Sequence, residues 1–129
     1  MIYRNLAALV GVAALAAPVL ALAQPSEAKF LEACSACHQP SGKGIPGAFP
    51  ALAGDPFVKG PATQVVATVL NGRGGMPAWK IDLTDAQIAA AITYIRSAWG
   101  TAASAVTAEM VAAERAKATP AGERSQQAH

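Results

Sequence analysis

No stretch of this 129-residue chain alternates apolar and polar side chains as a half-buried strand does, so helix is the regular element its pattern supports. Cysteine is confined to two residues, enough for a single disulfide and no more. The strand–helix setting that a thioredoxin-type C-x-x-C pair requires is missing. Ten Lys/Arg against eight Asp/Glu give a formal net charge of +2 with no basic block, which removes the electrostatic footprint of nucleic-acid binding. Beyond residue 23 no apolar run approaches membrane-spanning length, so the positive mean hydropathy reflects the first residues and the alanine content.

The beginning of the chain carries its own signal. Arg4 supplies a positive charge, residues 6–23 hold no polar side chain, and the run ends in Ala21-Leu22-Ala23. A charged start, an apolar middle and a small-residue triplet predict a secretory signal peptide over residues 1–23 and hence a periplasmic protein. A retained membrane anchor is the alternative, opposed by Gly11, Pro18 and the triplet. The segment that follows has the length of one small domain and a net charge near +1, because Arg4 leaves with the leader.

Both cysteines fall in Cys34-Ser35-Ala36-Cys37-His38, a C-x-x-C-H pentad. Two thiols three positions apart on a helical turn can each add to one vinyl group of a porphyrin. The adjoining imidazole then faces the iron. One disulfide or a zinc site are the competing readings, and the histidine directly after the second cysteine favours one covalent haem c held by two thioethers.

Three helices are expected around this pentad. The first covers residues 26–36, with Ser26 as N-cap and Phe30, Ala33, Cys34 and Cys37 on one face. The second covers 61–70, with Pro61 at its first position, Asn71-Gly72 as its stop, and Val65, Val66, Val69 and Leu70 as its apolar face. In the third, Thr84 and Gln87 form a capping box with Leu83 and Ile88 as staple. There Ile88, Ala91, Ile92, Ile95 and Trp99 repeat until Gly100 ends the helix. Tyr94 on its flank is the expected contact of Phe30 where the first and third helices cross. Glycine- and proline-rich loops fill the intervals. Residues 101–129 form an alanine-rich tail in which Thr107 can cap a short helix from residue 108 to 118, closed by Pro120. The expected organisation is therefore a leader (1–23), a haem domain (24–100) and a tail (101–129). So much loop in so short a chain leaves little side-chain core, and the apoprotein is expected to be unfolded or molten.

Phe30 one turn before C-S-A-C-H, the run G-A-F-P-A-L-A-G (47–54), the run N-G-R-G-G-M-P-A-W (71–79) and the last helix with Tyr94 together resemble a class I cytochrome c. The resemblance covers residues 26–100. It implies an all-α fold of three to four helices and loops wrapped around one haem, with His38 as proximal and Met76 as distal iron ligand. Met76 is the methionine set among glycines and followed by proline, whereas Met1 leaves with the leader and Met110 lies in the tail. The resemblance further implies that the Pro50 carbonyl accepts a hydrogen bond from His38 and that Leu52 packs on the porphyrin; the bland reading of Pro50 is a turn residue. Of the two tryptophans, Trp79 beside the Met76 loop is the candidate haem wall and Trp99 a core residue. Arg73 and Lys80 read as solvated charges or as partner-docking ones. Ser26 stands where the family commonly has a glycine. His129 is a further candidate ligand, at the polar extreme of the tail.

The function implied is that of a periplasmic monohaem electron carrier of a respiratory chain, not an enzyme. A dehydrogenase or cytochrome complex would be its donor and an oxidase or another cytochrome its acceptor. The alternative is a dedicated cytochrome subunit of a membrane-linked dehydrogenase or oxidase, because V-T-A-E-M-V-A-A-E-R (106–115) is similar to extensions on such subunits. A gas sensor or haem enzyme would need an open distal position, and no histidine lies near Met76 to serve one.

Overall fold

The computed structural model describes residues 26–118. The leader assigned to residues 1–23, Pro120 as a helix stop and His129 as a candidate ligand fall outside the described residues. Among the described residues there are helices and no strands, with two isolated antiparallel bridges, Ile45 to Phe49 and Arg73 to Met76.

The described residues form six helical segments, two of them single turns. The helix expected at 26–36 is divided into α1 (Ser26–Ala33) and α2 (Ser35–His38). Between them Cys34 sits at φ −120°, ψ −30°. Hydrogen bonding continues through the break: Cys34 N donates to the Phe30 carbonyl at 2.9 Å and His38 N to the Cys34 carbonyl at 3.0 Å. An apolar period therefore runs on through a kink that it cannot reveal.

α3 (Pro56–Lys59) adds a turn that the apolar pattern is too short to mark. Its N-cap Asp55 accepts from the Phe57 and Val58 amides at 2.7 and 3.1 Å, and Pro56 fills the first position, where no N–H is needed. α4 (Ala62–Asn71) starts one residue later than expected, with Pro61 as its cap and not its first helical residue. It ends at Gly72, φ +73°.

α5 (Asp85–Ser97) begins with the expected capping box: Thr84 Oγ1 accepts from Gln87 N at 3.3 Å and Gln87 Oε1 from Thr84 N at 2.9 Å. It stops at Ser97, before Trp99. Trp99 is not a helix-face residue: its backbone is left-handed (φ +52°), which swings the indole edge-on to Phe30 and Tyr94, 5.3 and 5.5 Å between ring centroids. α6 (Ala108–Ala118) follows residues 101–107, which form no regular element, and Thr107 Oγ1 accepts from Met110 N at 3.3 Å.

Phe30, Val66, Leu70, Ile88, Ile92 and Val111 are the largest fully buried side chains. α1 crosses α5, with Phe30 and Tyr94 centroids 5.2 Å apart, so the crossing forms with Ser26 in place of glycine. Burying a phenylalanine in this way contributes about 2–3 kcal/mol. α6 packs on both α4 and α5, and Val106 and Val111 join the core of the preceding helices. Arg96 ties the same region together. Its buried guanidinium donates to the carbonyls of Val58 (2.6 Å), Gly60 (2.9 Å) and Ser104 (2.8 Å).

Candidate functional site

His38 closes α2 and is buried, 9 % exposed. The loop after it folds back through the Gly42 carbonyl, which accepts from Leu52 N at 2.7 Å and Ala53 N at 2.9 Å. Gly42 has φ +67°, and a Cβ there would lie 2.6 Å from the Trp99 ring, so only glycine lets the loop pass beneath the indole. This return brings the Pro50 carbonyl to His38, whose Nδ1–H donates to it at 2.9 Å. With Nδ1 the protonated nitrogen, Nε2 keeps the lone pair that a metal ligand needs.

On the other side, Arg73-Gly74-Gly75-Met76 makes a tight turn closed by Met76 N to the Arg73 carbonyl (3.0 Å) and Arg73 N to the Met76 carbonyl (3.2 Å). The turn lies against the end of α4, because Trp79 N donates to the Val69 carbonyl at 3.0 Å and Lys80 N to that of Leu70 at 3.3 Å.

The two loops and α1–α5 enclose a cavity of about 680 Å³. Cys34, Cys37, His38, Pro50, Leu52, Met76 and Trp79 all line it, so every site residue expected from the sequence meets in one place. Its deep wall is apolar, from Val65, Val69, Ile88, Ile92 and Ile95. Trp99 is not on the wall. Phe57 and Val58 of α3 are, and sequence reasoning missed them; the Asp55-Pro56 cap was the signal for a helix there. Arg73, read as a surface charge, also lines the cavity and holds its guanidinium 5.4 Å from the Phe57 ring centroid. Lys80 is exposed and stands off the cavity.

The donor set suits a haem c and little else. Both thiols are free and not joined in a disulfide. Burial, and then Cys37 beside it, push the Cys34 thiol up to about 11. No cluster of three or more His, Cys, Asp or Glu able to hold a metal ion occurs among the described residues. One oriented imidazole, one thioether and a large apolar chamber match a porphyrin with a soft sixth ligand.

An all-α fold whose long glycine- and proline-rich loops close around such a chamber, with C-x-x-C-H on one wall and a glycine-flanked methionine on another, defines a class I c-type cytochrome. The chain belongs to the family described as cytochrome C oxidase, cbb3-type, subunit III, whose pattern matches residues 21–95, and its cofactor is a covalently bound haem c. It is 38% identical over 98 residues to a cytochrome c-552 of Thermus thermophilus, covering 64% of this chain and 66% of that protein. It is 33% identical over 87 residues to the cbb3-type cytochrome c oxidase subunit CcoP of Azospirillum brasilense, covering 62% and 30%. It is 32% identical over 106 residues to the gluconate 2-dehydrogenase cytochrome c subunit of Pantoea cypripedii, covering 71% and 24%. The chain thus spans just under two thirds of the first relative and under a third of the other two.

Proposed function

We propose that this chain is a periplasmic monohaem electron carrier, in which Cys34 and Cys37 would carry the haem thioethers and His38 and Met76 would ligate its iron. The observation that supports it most is the convergence of all seven expected residues on one apolar chamber. Bound there, haem c supplies a one-electron Fe(III)/Fe(II) couple. The remaining work belongs to the chain. Pro50 fixes the tautomer and orientation of His38, and Leu52 and Trp79 keep water from the porphyrin face. The glycine turn delivers the Met76 thioether, which favours the reduced metal and raises the potential. Export rests on Arg4, the apolar run 6–23 and its terminal triplet. No helix among the described residues is long and apolar enough to cross a membrane.

The test is spectroscopic. Alkaline pyridine should give a c-type haemochrome that acid–acetone cannot extract, and the ferric protein should show the weak far-red band of methionine sulfur on iron. Met76→Ala should abolish that band and lower the potential by on the order of 100 mV, a fraction of the roughly 0.8 V that axial ligands command. An extractable pigment would remove the covalent assignment, and rapid carbon monoxide binding to the reduced parent would remove the carrier reading.

A second reading is supported by the names of the relatives. Two of them are cytochrome subunits of larger oxidoreductases, which makes a dedicated subunit docking a dehydrogenase or oxidase the alternative to a freely diffusing carrier. Stoichiometric co-purification with such an enzyme would select it, and a monomer eluting alone would select the carrier.

A further inference from the structure

The helix after the family's shared region grips the loop that carries Met76. The family match ends at residue 95, and α6 begins at Ala108. From α6, Arg115 reaches across to the segment joining Met76 to α5. Its Nε donates to Asp85 Oδ1 at 2.7 Å, one terminal nitrogen donates to the Lys80 carbonyl, and the other donates to the Leu83 carbonyl at 3.1 Å. The same segment is tied on its other side to α4, through the Trp79 and Lys80 amides on the Val69 and Leu70 carbonyls. Residues 79–83 are therefore held from two directions, by α4 through their N–H groups and by α6 through their carbonyls.

We propose that Arg115 is a positioning residue for the sulfur ligand: α6 acts as a strap that holds the Met76 loop in place and so resists displacement of the thioether from iron. This rests on the reading of Met76 as axial ligand. The guanidinium suits the task because its rigid planar fork spreads its donors over separate nitrogens, whereas a lysine offers all of its donors from one. The core contacts of α6, Val111 among them, keep the strap seated while Arg115 carries its grip to the loop.

The test uses the full-length ferric holoprotein and imidazole, an added ligand that must displace the thioether to bind. Arg115→Gln should bind imidazole about tenfold more tightly than the parent, the effect expected from losing a charged hydrogen bond that opposes loop opening. Should that variant not accumulate, Arg115→Lys is read the same way. Lys117→Ala breaks the Lys117–Glu114 ion pair on the same helix without touching the loop, and should match the parent. Unchanged imidazole affinity in the Arg115 variants, with the parent's far-red band intact, overturns the strap alone. Equal tightening in Lys117→Ala also overturns it, because the effect would then be general loosening of α6. A parent without the far-red band overturns the Met76 assignment itself, and the strap with it.

Discussion

The Nδ1–H of His38 donates to the carbonyl of Pro50, twelve residues further on, at 2.9 Å. This one bond joins the end of a single-turn helix to a proline loop and decides which imidazole nitrogen is left for a metal. Proline suits the position because its carbonyl remains available while its φ is fixed, so the acceptor is held without a competing backbone N–H.

Removing haem should cost the protein its fold. Without haem the apolar wall formed by Val65, Val69, Ile88, Ile92 and Ile95 would face water instead of a porphyrin, and a chain this small has little other core to offset that loss. The apoprotein should therefore lose dispersed amide and methyl resonances while keeping some helical circular dichroism. A native-like spectrum without haem would contradict this.

The glycines near Met76 are not equivalent. Gly72 and Gly74 both have positive φ, but a Cβ on Gly72 would lie 2.6 Å from the Met76 carbonyl oxygen, while one on Gly74 meets nothing within 4 Å. Gly74→Ala should cost about 1 kcal/mol of backbone strain, and Gly72→Ala that and more, with displacement of Met76. Urea midpoints and the far-red band read both effects; equal losses in the two variants would refute the steric argument.

Phe30→Ala should destabilise the holoprotein by about 3–5 kcal/mol, since the ring is fully buried between Tyr94 and Trp99. Chemical denaturation followed at the Soret band measures it. A loss below about 1 kcal/mol would mean that the α1–α5 crossing does not depend on this side chain.

Tyr94 gives the same crossing a pH dependence. Its hydroxyl donates to Glu27 Oε1 at 3.3 Å, and its ionisation is held above the ordinary phenol range by burial first, then by the charge and hydrogen bond of Glu27. An acid whose pKa is raised by folding contributes stability that is complete below its unfolded value, about 10, and lost as pH rises through the folded one. Tyr94→Phe should therefore flatten the alkaline decline of the urea midpoint without changing the acid side. Parallel alkaline limbs in parent and variant would count against it.

Arg96→Met should cost about 3 kcal/mol, because three carbonyls on both sides of α5 lose a charged donor. Arg96→Lys should recover part of it. Equilibrium unfolding in urea distinguishes the two, and a neutral Arg96→Met would show that water replaces the guanidinium.

Short-range chemistry is what the sequence discloses well. The C-x-x-C-H pentad, the Thr84–Gln87 box and the glycine-flanked Met76 each depend on neighbours a few residues away, and their spacing is itself the physical requirement. The Phe30–Tyr94 contact was legible too, because each residue sits on a periodic helix. Trp99 was misplaced for the opposite reason: its spacing continues the α5 stripe, but the chain leaves the helix at Ser97 so that the indole can cover Gly42 and the Phe30–Tyr94 pair. The cavity position of Arg73 and the grip of Arg115 had no local signature, and α3 announced itself only through its Asp55-Pro56 cap. By itself the sequence determined which cofactor chemistry the chain carries, since the covalent spacing of C-x-x-C-H is local. Only the tertiary structure decided that α6 reaches the Met76 loop and that Arg96 joins the distant carbonyls of Val58 and Gly60, because such contacts depend on where packed helices end in space.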